Sequence, residues 1–80
     1  MSDFYIPCKR NRMDRALGKL GVEIVKKRGG HDKAICPITG NKTDIPRKTD
    51  LKPGITKSIC VFLLEQGHKE EDIKKALKIK

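Results

Sequence analysis

Aromatic side chains are nearly absent, at 4 % of the 80 residues: Phe4, Tyr5 and Phe62, with no tryptophan. None falls in a strand-forming stretch, which argues against stacking of bases on a sheet surface, the mode of many single-strand readers. Carboxylates are scarce and scattered rather than clustered, which argues against a metal mechanism in which several Asp or Glu hold Mg²⁺. No cofactor and no metal is expected. No apolar run approaches the roughly 18 residues of a membrane-spanning helix, and Met1 to Arg10 lack the charged-then-apolar order of a secretion signal. The expectation is a cytoplasmic protein with no membrane partner. Cys8, Cys36 and Cys60 lack the paired spacing of structural zinc sites, and an odd number cannot pair off completely. Each sits among apolar neighbours, so they read as reduced thiols acting as small hydrophobes. There is no repeat, linker or low-complexity tract, so residues 1–80 read as one domain. Eighty residues bury only about 60 % of the surface of the unfolded chain, which excludes a large substrate-enclosing core.

What is present is patterned. From Arg12 to Leu20 the apolar residues Met13, Ala16, Leu17 and Leu20 recur at helical spacing, with Pro7 near the entrance and Gly21 at the exit. The other face of this helix is basic, with Lys9, Arg12, Arg15 and Lys19. Three strand candidates follow: Val22 to Lys27, then His31 to Ile38 after Gly29-Gly30, then Lys42 to Lys48, broken near Pro46. Thr39-Gly40-Asn41 reads as the turn between the last two. In the middle strand, two-residue alternation separates Asp32, Ala34 and Cys36 from His31, Lys33 and Ile35. Leu51-Lys52-Pro53-Gly54 leads into a second amphipathic helix with Ile55, Ile59, Phe62 and Leu63, ending at Gly67, and a last helix spans Lys69 to Lys78. Glu70–Lys74 and Glu71–Lys75 add four-residue pairs along it. Strands grouped between helices predict an α+β fold, a three-stranded antiparallel sheet with helices on one face and the other face open.

Nineteen Lys and Arg stand against ten Asp and Glu, a formal charge of +9. Between Lys9 and Lys33 nine basic residues face three acidic ones, so +6 of that charge lies in the first helix and first hairpin. A basic helix beside Lys26-Lys27-Arg28 and Lys33 suits a phosphate backbone. Recognition would run through shape and phosphate rather than bases.

His31 follows this basic turn directly, after two glycines that let a ligand come near the backbone. An imidazole exchanges a proton near neutral pH, which RNA cleavage requires: a base removes the 2′-hydroxyl proton and an acid protonates the departing 5′-oxygen. Neighbouring cations stabilise charge on the phosphorane. From the residues alone, a lone histidine beside a turn, as His31 is, is more often structural or merely exposed than catalytic. His68, between Gly67 and Lys69, reads as a cap or surface residue.

Gly21-Val22 after an amphipathic helix, Lys27-Arg28-Gly29-Gly30-His31, Ile45-Pro46-Arg47 and Leu51-Lys52-Pro53-Gly54-Ile55 with Ile59 together resemble the HicA toxins of bacterial and archaeal toxin–antitoxin pairs. The resemblance runs from about Met13 to Leu77. It implies a fold like the double-stranded-RNA-binding domain, α-β-β-β-α with a further short helix, and ribonuclease activity on messenger RNA. It also implies that His31 is the catalytic histidine, that a HicB-like antitoxin covers the site, and that operator DNA is bound only through the antitoxin complex. Three positions depart from the pattern: Gly30 replaces a hydroxyl residue, Asp32 stands where a second histidine is common, and Lys48 stands where another often follows Pro46-Arg47. The general acid is therefore unassigned among Lys33, Arg28 and water.

The leading reading is a metal-independent endoribonuclease toxin with His31 as general base or acid. Lys26, Lys27, Arg28, Gly29, Gly30 and Lys33 would hold RNA, with Lys52 at the second helix entrance. The alternative is a non-catalytic RNA- or DNA-binding module of the same fold. A third is an interaction protein whose basic face docks an acidic partner.

Overall fold

In a computed structural model, residues 4–26 and 30–78 are described, and a two-residue strand, Cys8–Lys9, runs directly into the first helix. Lys9 is extended (φ −68°, ψ 139°), so α1 (Arg10–Lys19) opens two residues earlier than its apolar stripe suggests. The Arg10 amide donates to the Thr49 carbonyl at 2.8 Å rather than to a capping side chain. Met13, Ala16 and Leu17 are buried, as their spacing requires. At the helix exit Gly21 takes φ +78°, and the Val22 amide reaches back to the Leu17 carbonyl at 2.8 Å. That closure needs a left-handed residue, for which glycine is the cheapest choice.

The three strands are shorter than expected: β2 (Glu23–Val25), β3 (Asp32–Ile35) and β4 (Lys42–Ile45). The short strand before α1, Cys8–Lys9, is β1. The order in the sheet is β2-β3-β4, antiparallel throughout. At Cys36 β3 gives way to a turn: its amide donates to the Asn41 carbonyl (2.8 Å), and its carbonyl accepts the amide of Gly40 (2.7 Å), which takes φ +78°. β4 stops before Pro46, which has no N–H to continue the ladder. Register pairs Asp32 with Ile45 and Ala34 with Thr43, so these share one face with Ile24. Asp32, Ala34 and Ile45 are buried there, with α1 against β2 and α2 against β4. Glu23, Val25, Lys33, Ile35, Lys42 and Asp44 share the opposite face, none of them fully buried. The expected open face is present.

A second ladder went unforeseen. β1 pairs with β5 (Asp50–Leu51), Cys8 opposite Leu51 and Lys9 opposite Asp50, tying together the entrances of α1 and α2. α2 (Pro53–Glu65) has Pro53 at its start and closes at Gly67 (φ +96°), where the His68 amide reaches the Leu63 carbonyl at 3.2 Å. His68 thus caps the helix with its backbone. α3 (Glu70–Leu77) buries Ile73, Ala76 and Leu77, packs chiefly on α1, and forms the expected Glu70–Lys74 pair at 3.3 Å.

Met13, Leu17, Ile45, Leu51, Ile59, Leu63, Ile73 and Leu77 are all under 2 % exposed and draw on all three helices, β4 and β5. All three cysteines are free and buried. Burial pushes the Cys60 thiol up to about 12, with the nearby Cys8 adding to it, and burial also raises Cys8 against the charge of Arg12. Among the described residues no helix is long and apolar enough to cross a membrane.

Candidate functional site

His31 immediately precedes β3, and its side chain is exposed at the strand mouth. It lines an open hollow with Thr43, Asp44 and Pro46 of the neighbouring strand end and Gly54, Ile55, Ser58 and Ile59 of α2. β3–β4 pairing brings Asp44 here: it sits opposite Lys33, accepts a hydrogen bond and an ion pair from Lys33 Nζ, and lies within the field of His31. The Lys33 hydrogen bond holds the Asp44 carboxyl below its usual range; burial opposes this, and the charges of Lys33 and His31 add to it. The hollow therefore holds an imidazole, a carboxylate, a serine hydroxyl and the first turn of a helix.

Around the end of β3 from His31 lies a groove of about 590 Å³ lined by Arg10, Asn11 and Asp14 of α1, Lys26, Asp32, and Arg47, Lys48 and Thr49 of the β4–β5 connection. Asp32 is 2 % exposed and lies on the buried face of β3, where an isolated charge is costly. Two guanidinium groups answer it: Arg10 Nη2 at 2.7 Å on Oδ2 and Arg47 Nε at 2.7 Å on Oδ1. The Arg10 bond first, then Arg47, hold the Asp32 carboxyl below its ordinary range in spite of burial. Arg10 also donates through Nε to Asp14 (2.7 Å) and through Nη1 to the Pro46 carbonyl (3.0 Å). Burial works against the charge of Arg10, but the bonds to Asp14 and Asp32 outweigh it and raise its pKa.

The predicted residues thus separate. His31 meets the first turn of α2, just beyond Lys52, which is exposed and whose carbonyl accepts the Ile55 and Thr56 amides at 3.0 Å. Lys33 is on the open face, engaged with Asp44. Lys26 lines the groove rather than the hollow. Gly30 is exposed, and among the described residues beyond its chain neighbours no atom lies within 4 Å of the place a Cβ would take. Lys27, Arg28 and Gly29 lie outside the described residues.

Asp44, Ser58, Arg10, Arg47 and Lys48 were not among the expected site residues. Arg47 and Lys48 had a legible signal, a basic pair after a proline that ends a strand. Ser58 had none, since its place depends on how α2 crosses the sheet. Among the described residues no three His, Cys, Asp or Glu side chains gather as metal ligands.

Comparison with known proteins finds no match: no family model, no curated protein and no solved structure resembles the chain closely enough to count.

Proposed function

We propose that this chain is a HicA-like toxin of a type II toxin–antitoxin pair, a metal-independent endoribonuclease that cleaves messenger RNA with His31 as its proton carrier. The fold would be of the double-stranded-RNA-binding type, which the order α1-β2-β3-β4-α2 supports. The observation carrying the reading is an exposed imidazole at a strand mouth, facing the first turn of α2 and its Ser58 across an open hollow. A sugar–phosphate can reach such a ring.

In this mechanism His31 takes the proton of a 2′-hydroxyl, and the 2′-oxygen attacks the adjacent phosphorus. The bond to the 5′-oxygen then breaks, leaving a 2′,3′-cyclic phosphate and a 5′-hydroxyl once that oxygen is protonated. Asp44, bonded to Lys33 and within the field of His31, would act as a positioning residue beside the imidazole. The departing oxygen draws its proton from water or Lys33, the latter only on leaving Asp44. A HicB-like antitoxin would act by covering the hollow, and operator DNA would be bound only through that complex.

A second reading, an RNA- or DNA-binding module without turnover, is favoured by one observation: among the described residues, His31 is the only His lining the hollow. Incubating wild type and His31→Ala with RNA in EDTA separates the two. Cleavage by wild type alone supports the enzyme; binding by both with no product supports the module.

A further inference from the structure

We propose that the groove between the entrance of α1 and the β4–β5 connection is a phosphate-binding subsite that holds the RNA backbone beside the His31 hollow, an inference that rests on RNA being the ligand. The argument starts from Asp32. Its carboxylate is almost fully buried and accepts Arg47 Nε on one oxygen and Arg10 Nη2 on the other, fixing both guanidinium groups in place. Arg10 spends Nε, Nη1 and Nη2 on protein acceptors and is 11 % exposed, so it serves as structure. Arg47 differs: among the described residues it gives only Nε to a partner, and its side chain is 44 % exposed.

A guanidinium anchored through Nε keeps both Nη groups for a ligand and has already lost much of its rotamer freedom. That is the preorganisation phosphate recognition exploits. Lys26 and Lys48 stand exposed on the same walls, with the Asn11 amide and the Thr49 hydroxyl as further donors. Four cations and two carboxylates line the groove, net +2, and both carboxylates are already bonded by arginine. A phosphodiester therefore meets unspent donors and no free negative charge among the lining residues.

Continuity with the hollow is given by the chain. His31 and Asp32 are neighbours at the mouth of β3, one facing each side, and Pro46 lines the hollow while Arg47 and Lys48 line the groove. Arg10 bonds the Pro46 carbonyl and locks that ridge between the two. A strand laid across the ridge places one phosphate at His31 and a flanking one at Arg47 and Lys48.

The test is binding of a fluorescent 2′-O-methyl oligoribonucleotide, which lacks the proton that cleavage needs, measured by anisotropy in EDTA over a salt series. Lys26→Gln with Lys48→Gln leaves the Asp32 bonds intact, and Arg47→Gln is the second variant. The double variant is expected to bind at least about tenfold more weakly near 0.1 M salt and to lower the log–log salt slope by about 1.4, two single-strand contacts. A control pair, Lys69→Gln with Lys75→Gln on α3 and its entrance, should change affinity little. Wild-type affinity and slope in both groove variants overturns the subsite, and so does an equal loss in the control pair. Cleavage by wild type but not His31→Ala, beside unchanged binding by the groove variants, would sink this inference and leave the nuclease standing. The converse pattern would do the reverse.

Discussion

Replacing Arg10 by methionine keeps most of its apolar stem and removes its guanidinium, the piece that joins α1, β3 and the β4–β5 connection. The Asp14 bond is half-exposed within one helix and contributes about 0.5 kcal/mol. The two interior bonds count for more: the charged guanidinium donates both, one to a carbonyl and one to a carboxylate, and together they give about 3–6 kcal/mol. An 80-residue domain has about 4–12 kcal/mol in total. At about 4–8 °C per kcal/mol, the variant should melt at least about 14 °C below wild type at neutral pH. Arg10→Lys should lose most of the same amount, because one ammonium cannot span Asp14, Asp32 and the Pro46 carbonyl at once. Thermal melts followed by circular dichroism measure this directly. The gap should narrow in acid, once the Asp32 carboxyl is protonated and the wild type loses the pair as well. An Arg10→Met protein melting within about 3 °C of wild type at neutral pH would refute this account of the triad, as would a gap that persists unchanged in acid.

Two further outcomes are expected. Asp32 and Asp44 are both held below the ordinary value of 3.8, so their stabilisation is fully present above it and is lost as pH falls through their depressed folded values. A melting temperature flat from neutral pH down to about 5 and falling steeply below 4 checks that sign; Asp32→Asn should flatten the acid limb. Thiol alkylation should distinguish the cysteines, since the Thr39 amide and hydroxyl lower the Cys36 thiol while burial raises Cys8 and takes Cys60 to about 12. On slow titration with iodoacetamide, mass spectrometry should find Cys36 modified first and Cys60 last.

Elements whose cause is local were legible in the sequence. The Met13, Ala16 and Leu17 stripe, Pro53 at a helix start, and Gly21 and Gly67 at helix ends each act through a few neighbouring residues. The alternation of β3 separated Asp32 and Ala34 from Lys33, and the structure puts the first pair on the buried face. The place of His31 at the start of the middle strand was readable from the glycines before it, whereas its sequence neighbours fit both an exposed and a structural histidine.

What depended on distant pairing was not legible. The β1–β5 ladder joins residues about forty positions apart through two rungs, too short to leave a periodic signal. Asp32 read only as a departure from the family pattern, and nothing in the sequence showed that Arg10 and Arg47 meet it from 22 and 15 residues away. Lys33 read as a free cation until the register set Asp44 opposite it. Periodicity decides which side chains turn inward. Which charges then meet is settled by register and helix placement, and at Asp32 burial makes an unpaired ion costly enough to require its partners.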